Sequence, residues 1–170
     1  MGGSPITMTY CTQFLLLAAT ILLANTSIAD TLLGQVVGVA DGDTITVLDT
    51  DKVQHKIRLT GIDAPEKKQP FGNRSKQSLS DMVFNKIVSV ETVKRDRYGR
   101  ELGKVLVDGK DVNFEQVRTG FAWHYKAYER TQSATDRQAY AGAEIEAKAA
   151  KRGLWADSEP TPPWEWRHRK

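Results

Sequence analysis

The stretch of sequence that decides the fold is residues 34–48, Gly-Gln-Val-Val-Gly-Val-Ala-Asp-Gly-Asp-Thr-Ile-Thr-Val-Leu. Valine is frequent before Asp41-Gly42, and threonine alternates with isoleucine and valine after it. Asp-Gly between two runs of β-forming residues is a strong hairpin signal. The stretch therefore predicts an antiparallel hairpin with strands over 34–40 and 44–47.

Further strand patterns follow this hairpin. Residues 53–60 alternate between apolar and polar side chains, which places Arg58 on the face opposite the apolar ones. This strand should end in residues 61–66, which contain a proline that cannot donate a hydrogen bond to a sheet. Residues 87–93 and 102–107 alternate in the same way. The sequence thus predicts about five short strands.

Helical patterns occupy the remaining parts of the chain. Apolar residues recur at helical spacing within 72–86 and 134–151, and residues 111–119 form a shorter segment of the same kind. Ser133 and Asp136 form a typical N-terminal capping pair for the longest helix. Five short strands with helices predict a small α+β domain built on a closed or nearly closed barrel.

The two ends of the chain differ from this central part. Residues 1–29 contain no Asp, Glu, Lys or Arg, and the apolar run 14–24 is followed by small residues. This pattern indicates a signal peptide that is cleaved before Asp30. A retained membrane anchor is the alternative, although the run is shorter than the roughly 18–20 residues that a spanning helix needs. We assign 30–155 to one domain and 156–170 to a Pro- and Trp-containing C-terminal tail that is extended and either docked or loose.

The composition excludes several kinds of site. The single cysteine, Cys11, lies in the leader, so the mature chain has no thiol for a disulfide, a cysteine nucleophile or a zinc ribbon. With three histidines in the chain, an imidazole-rich site is also disfavoured. Oxygen ligands remain, and they suit calcium or magnesium. The net charge of +3 favours an anionic partner.

Five charged residues stand where the strand pattern does not require them. They are Asp43, Arg58, Asp63, Glu66 and Arg100. Each one alone is explained by ordinary turn chemistry, loop capping or a solvated surface. Together with their neighbours they form four segments in a fixed order, and it is this order that suggests a function. The segments are 39–44, 58–66, 96–100 and 107–120.

These four segments resemble the staphylococcal nuclease family, also called the thermonuclease or micrococcal nuclease family. The likeness extends over residues 34–155, and the Pro-Pro-Trp-Glu-Trp ending is similar to the exported bacterial branch. The resemblance implies a five-stranded barrel of the oligonucleotide-binding type with three helices. It also implies a calcium-dependent endonuclease that cuts DNA and RNA, single- or double-stranded and without sequence preference, to 3′-phosphate products.

The resemblance also assigns roles to individual residues. Asp43 and Asp63 correspond to the carboxylate ligands of calcium, and Ala64 contributes its backbone carbonyl. Arg58 and Arg100 correspond to the arginines that bind the scissile phosphate, a role that suits the paired N–H donors of guanidinium. Glu66 corresponds to the general base, and a role in orienting the attacking water is the alternative.

The resemblance supports three tyrosines as substrate-binding residues, namely Tyr98, Tyr125 and Tyr128. Their rings are suited to stacking on bases, and the alternative is that they cover the rim of the barrel. A catalytically inactive barrel that binds nucleic acid or protein is the competing function, and a structural protein that docks through its tail is another. We expect an exported, periplasmic or secreted monomer without membrane attachment after cleavage.

Overall fold

A computed structural model describes residues 1–3 and 30–169 of the chain. The predicted signal peptide, apart from residues 1–3, lies outside these described residues. Within the described part of the chain, no helix is both long enough and apolar enough to cross a membrane.

The described domain is a closed barrel of five strands. Their order around the barrel is β3-β2-β1-β5-β6, and a parallel pairing of β3 with β6 closes it. All other neighbouring strands of the barrel are antiparallel. This confirms the predicted five-stranded α+β barrel. The strands are β1 (Asp30–Val39), β2 (Thr44–Leu48), β3 (Gln54–Leu59), β5 (Ile87–Arg95) and β6 (Glu101–Val107).

Short strands and helices surround the barrel. Two-residue strands lie at β4 (Ile62–Asp63), β7 (Lys110–Asp111) and β8 (Trp123–His124). The three predicted helices are α1 (Gly72–Val83), α2 (Val112–Arg118) and α3 (Ala134–Ala149). The Asp136 N–H donates to the Ser133 hydroxyl at 3.0 Å, so the predicted cap of α3 is present. Short 3₁₀ helices cover Lys126–Thr131 and Gly153–Ala156.

The core lies inside the barrel and under α1 and α2. Val36, Ile45 and Ile57 point into the barrel and are fully buried. Leu79 of α1 and Val117 of α2 close the core from one side. Burial of each such side chain stabilises the fold by about 1.5–3 kcal/mol, so the core fixes the loops between the strands.

The first hairpin forms as predicted, but its glycine has a different reason. The last paired residues are Val39 and Ile45, so the connection is longer than a two-residue turn. The loop packs against α1, which contains Ser75. A Cβ atom on Gly42 would lie 1.8 Å from Ser75 Oγ and 2.7 Å from the Ala64 Cβ. Glycine at this position therefore gives space for loop packing, and the loop delivers Asp43 to the barrel.

The C-terminal segment, residues 157–169, docks on the domain, which is one of the two arrangements that the sequence left open for this tail. It contains a one-turn helix, α4 (Pro163–Trp166), in which Pro163 is buried. The Trp164 ring stacks on Tyr125, with centroids 5.4 Å apart and an interplanar angle of 27°. The Gln69 side-chain amide donates to the Thr161 carbonyl at 2.6 Å. Burial of these aromatic and proline surfaces explains why the segment docks.

Candidate active site

Asp43 is held at the start of β2 by its backbone. Its N–H donates to the Asp41 carboxylate at 3.1 Å, and its carbonyl accepts from the Leu59 N–H at 2.8 Å. The preceding carbonyl, that of Gly42, accepts from the buried side-chain amide of Gln116 at 2.7 Å. The position of the Asp43 carboxylate is therefore fixed by β3 and α2 together.

Asp63 comes to the same place from another element. It lies on β4, which pairs with β8, and its side chain is 1% exposed. The next N–H, that of Ala64, donates to Asp43 Oδ2 at 2.8 Å. This hydrogen bond joins the loop after β1 to the loop after β4 and brings the two carboxylates together.

Arg58 bridges the two carboxylates. Its Nη1 lies 2.5 Å from Asp43 Oδ2, and its Nη2 lies 2.9 Å from Asp63 Oδ1. Burial raises the pKa of Asp43 above its ordinary value, although Arg58 opposes this effect. Burial lowers the pKa of Arg58, but the carboxylates of Asp43 and Asp63 outweigh it and the net shift is upward. The site thus concentrates negative charge in a largely dry environment and attracts cations.

The donor atoms fit a calcium site of low affinity. Among residues 1–3 and 30–169, no three His, Cys, Asp or Glu side chains converge. The oxygens that do converge belong to the carboxylates of Asp43 and Asp63, with the Ala64 backbone between the two loops. Calcium takes about six to eight oxygen ligands, so water would supply the remainder. All these donors are hard oxygens, which matches calcium and disfavours soft metals.

Glu66 lies in a tight turn beside this pair. Its N–H donates to the Gln69 side chain at 3.0 Å, and its carbonyl accepts from the Gln69 N–H at 2.8 Å. A Cβ atom on Gly72 would lie 2.1 Å from the Glu66 carbonyl oxygen, so α1 begins with glycine where it packs on the turn. The Glu66 carboxylate is 40% exposed, which leaves it accessible to water and substrate.

Arg167 is the site residue that sequence reasoning missed. It comes from the end of α4, and its Nη2 lies 2.8 Å from Asp63 Oδ2. Its Nη1 lies 2.8 Å from Glu66 Oε1. Hydrogen bonds that Arg167 donates to Asp63 and, to a smaller extent, to Glu66 raise its pKa, and partial burial opposes them. Because Arg167 is 104 residues from Asp63 in sequence, no local pattern indicated this contact.

Arg100 and Tyr98 lie on the turn between β5 and β6. Arg100 pairs with Asp96 of the same turn at 2.8 Å, and its guanidinium lies 5.4 Å from the Tyr98 ring centroid. β6 starts next to β3, with Glu101 opposite Ile57 and Leu102 opposite Arg58, so the turn leads directly into the strand that pairs with Arg58. In the described residues, Arg100 bonds within its own turn and does not contact the two site carboxylates.

The two remaining predicted tyrosines lie beside the C-terminal segment. The rings of Tyr125 and Tyr128 are 5.2 Å apart, and Tyr125 is covered by Trp164. Tyr128 is 53% exposed and Tyr98 is 68% exposed, so both offer ring surface. His124 on β8 is buried, and its Nε2 lies 3.0 Å from the side-chain oxygen of Gln132.

Comparison with known proteins gives consistent matches. The family model described as "Staphylococcal nuclease homologue" matches residues 56–157. A protein of Escherichia coli O157:H7 described as "Uncharacterized endonuclease" is 49% identical over 138 residues, which cover 81% of this chain and 86% of that protein. "Protein ParB" of Escherichia coli is 41% identical over 158 residues, with 88% and 86% covered. "Staphylococcal-like nuclease CAN1" of Arabidopsis thaliana is 43% identical over 115 residues, 68% of this chain and 34% of that protein.

Proposed function

The chain belongs to the staphylococcal nuclease family, and on that premise we propose that it is a calcium-dependent endonuclease that hydrolyses phosphodiester bonds of DNA and RNA. The observation that carries the proposal is the convergence of Asp43 and Asp63 on Arg58, with Glu66 at the edge of the same cluster. A phosphodiesterase needs carboxylates for a metal, cations for phosphate and a base for water. This cluster contains all three.

The protein residues take complementary roles in the reaction. Glu66 holds the attacking water and accepts its proton as the oxygen bonds to phosphorus. Arg58 and Arg100 donate paired hydrogen bonds to the phosphoryl oxygens, where negative charge increases in the transition state. The bond from phosphorus to the 5′ oxygen then breaks, and the phosphate stays on the 3′ side.

Asp43, Asp63 and the Ala64 carbonyl would hold calcium. A bound calcium ion supplies a Lewis acid that polarises the phosphoryl group and offsets its negative charge. The low number of protein carboxylates favours a location with abundant calcium. This supports the proposal that the chain is exported, acts in the periplasm or outside the cell, and is free of the membrane after cleavage of its leader.

Substrate binding is proposed to depend on charge and stacking and not on base sequence. Three basic side chains are exposed next to the Glu66 turn, those of Lys67, Lys68 and Arg74. Their positive charges suit the phosphate backbone of both DNA and RNA. Tyr98 and Tyr128 offer exposed rings for unpaired bases, and Tyr125 lies beside Tyr128. Every base has a π-face, so stacking accepts single-stranded DNA and RNA alike, and the backbone contacts of the basic residues also accept a duplex. We propose that the protein acts as a monomer.

A direct assay tests this function. The purified protein is incubated with plasmid DNA and with RNA, in calcium or in a chelator, beside the variants Asp63→Asn and Asp51→Asn. Asp51 is exposed and lies in a loop, so Asp51→Asn is the matched control. We expect cutting in calcium by the wild type and Asp51→Asn, and loss of cutting in Asp63→Asn.

Each other outcome refutes a particular part of the proposal. Intact nucleic acid in calcium would favour a catalytically inactive binding module. Equal cutting in the chelator would refute the calcium assignment. End-group analysis checks the products, for which we expect 3′-phosphates.

A further inference from the structure

The C-terminal segment places a second guanidinium on Asp63, one of the two carboxylates assigned to calcium. Arg167 contacts both oxygens of Asp63, at 2.8 Å for Oδ2 and 3.2 Å for Oδ1. The Nη1 atom that contacts Asp63 Oδ1 also lies 2.8 Å from Glu66 Oε1. Since Arg58 also bonds to Asp63 Oδ1, each oxygen of this carboxylate is covered by arginine. A metal ion bound to Asp63 would need at least one of these contacts to open.

We propose that Arg167 is an active-site residue that acts as an internal cation: it occupies Asp63 and Glu66 in the metal-free protein, and calcium displaces it. The inference rests on the proposed calcium site. Calcium binds oxygen at about 2.3–2.6 Å. Because calcium and the guanidinium are both positively charged and need the same Asp63 oxygen, they compete for it. Calcium then binds only those molecules in which Arg167 is undocked. The measured calcium affinity is therefore the intrinsic affinity multiplied by the undocked fraction.

The anchoring of the segment makes this displacement local. Pro163 is buried, Trp164 stacks on Tyr125, and Gln69 bonds to the Thr161 carbonyl. None of these contacts uses a site carboxylate. Arg167 can therefore leave Asp63 by rotation of its side chain while α4 stays in place, and it returns to the carboxylate when calcium is removed.

The expected size of the effect follows from exposure. The Arg167 side chain is 41% exposed, whereas Asp63 is 1% exposed. Water therefore competes for the arginine, and the pair is weaker than a fully buried one. We expect docked Arg167 to outnumber undocked Arg167 by about three- to tenfold, so its removal should tighten calcium binding by about the same factor.

The experiment is a calorimetric titration of the purified protein with calcium alone, without nucleic acid. It compares the wild type with Arg167→Gln, Arg167→Lys and the control Arg169→Gln. Arg169 lies in the same segment and bonds to Thr161 Oγ1 at 3.0 Å. Arg169→Gln thus removes the same charge nearby and leaves the Asp63 contact intact. Thermal unfolding checks that each variant is folded.

We expect calcium binding about three- to tenfold tighter in Arg167→Gln and changed by less than about twofold in Arg169→Gln. Arg167→Lys should fall between, because an ammonium group cannot reproduce the paired contact, and it provides the test if Arg167→Gln does not fold. If the wild type binds calcium and neither Arg167 variant binds it more tightly than Arg169→Gln does, the inference is wrong and the proposed function stands. If the wild type binds no calcium, the calcium site is refuted along with the inference.

Discussion

Asn113 ties the two strands that close the barrel, and its replacement should destabilise the domain strongly. The side chain is fully buried on α2. Its oxygen accepts from the Val105 N–H at 3.0 Å, and its amide donates to the carbonyls of Thr60 and Gly103 at 3.0 and 3.1 Å. Thr60 follows β3 and leads to Asp63, whereas Gly103 and Val105 belong to β6. The amide therefore fixes barrel closure and the approach to the site at once.

The cost of Asn113→Ala can be worked from these contacts. Three hydrogen bonds are lost at about 1 kcal/mol each, and a buried donor is left unpaired at Val105. Gly103 keeps a second partner, because its carbonyl also accepts from the Thr60 N–H. Alanine is the better helix former by about 0.5 kcal/mol, which offsets part of the loss. We expect the free energy of unfolding to fall by about 3–5 kcal/mol and Tm by about 10–16 °C.

Urea unfolding and calorimetry measure this effect, with Asn73→Ala as the matched control. Asn73 is exposed in the first turn of α1, so its change should stay within about 0.5 kcal/mol. Asn113→Asp should be at least as harmful as Asn113→Ala, because it places a carboxylate against the carbonyls of Thr60 and Gly103. A stability for Asn113→Ala equal to that of Asn73→Ala would refute the assignment of Asn113 as the closing tie.

Three other predictions concern catalysis and pH. Glu66→Gln should lower turnover by about 10²–10⁴-fold, because it removes the base, and should change calcium affinity little. Single-turnover kinetics measure the first effect and calorimetry measures the second. Normal turnover would contradict the base role. Arg100→Lys should lower turnover at least about tenfold, because lysine lacks the paired donors of guanidinium. The control Arg97→Lys, in the same turn, should retain activity. Equal rates in the two variants would show that Arg100 does not bind phosphate. Hydrogen bonds from the His55 ring to Asp49 and, to a smaller extent, to Glu101 raise the pKa of His55 above 6.5. The stability that His55 gives is therefore fully present below pH 6.5 and is lost as pH rises through the folded-state pKa. Urea unfolding of the wild type and His55→Gln at pH 6 and pH 9 should show the larger difference at pH 6, and a constant difference would contradict this linkage.

Local patterns were sufficient to predict the strands and helices of the barrel. Three features depend on near neighbours in sequence: the hairpin around Gly42, the alternation that places Arg58 on the face opposite the apolar side chains, and the cap of α3. Asp43, Arg58 and Asp63 were assigned to one site through the resemblance of segments 39–44 and 58–66 to the staphylococcal nuclease family. Strand ends that meet at one edge of a barrel bring such residues together, and the structure places these three in direct contact.

Contacts that join distant parts of the chain left no such pattern. Gly42 signals a turn in the sequence, but its close approach to Ser75 depends on how α1 packs on the loop. The C-terminal segment has polar and proline-rich stretches typical of an extended tail, and nothing in them indicates that Trp164 stacks on Tyr125. Arg167 follows from that docking, and its role depends on a partner 104 residues away. Prediction failed where tertiary packing, and not local propensity, selects the conformation.

The charges of the site suggest an order of binding. Asp43, Asp63 and Glu66 form ion pairs with two guanidinium groups, those of Arg58 and Arg167. When all five are ionised, the cluster has one negative charge in excess, which repels a phosphodiester. A divalent cation would reverse the sign of this excess and would also free arginine N–H donors from the carboxylates. Attraction of the substrate phosphate to this cluster should therefore require calcium, and binding of an oligonucleotide should weaken in a chelator even where cleavage has been removed by Glu66→Gln.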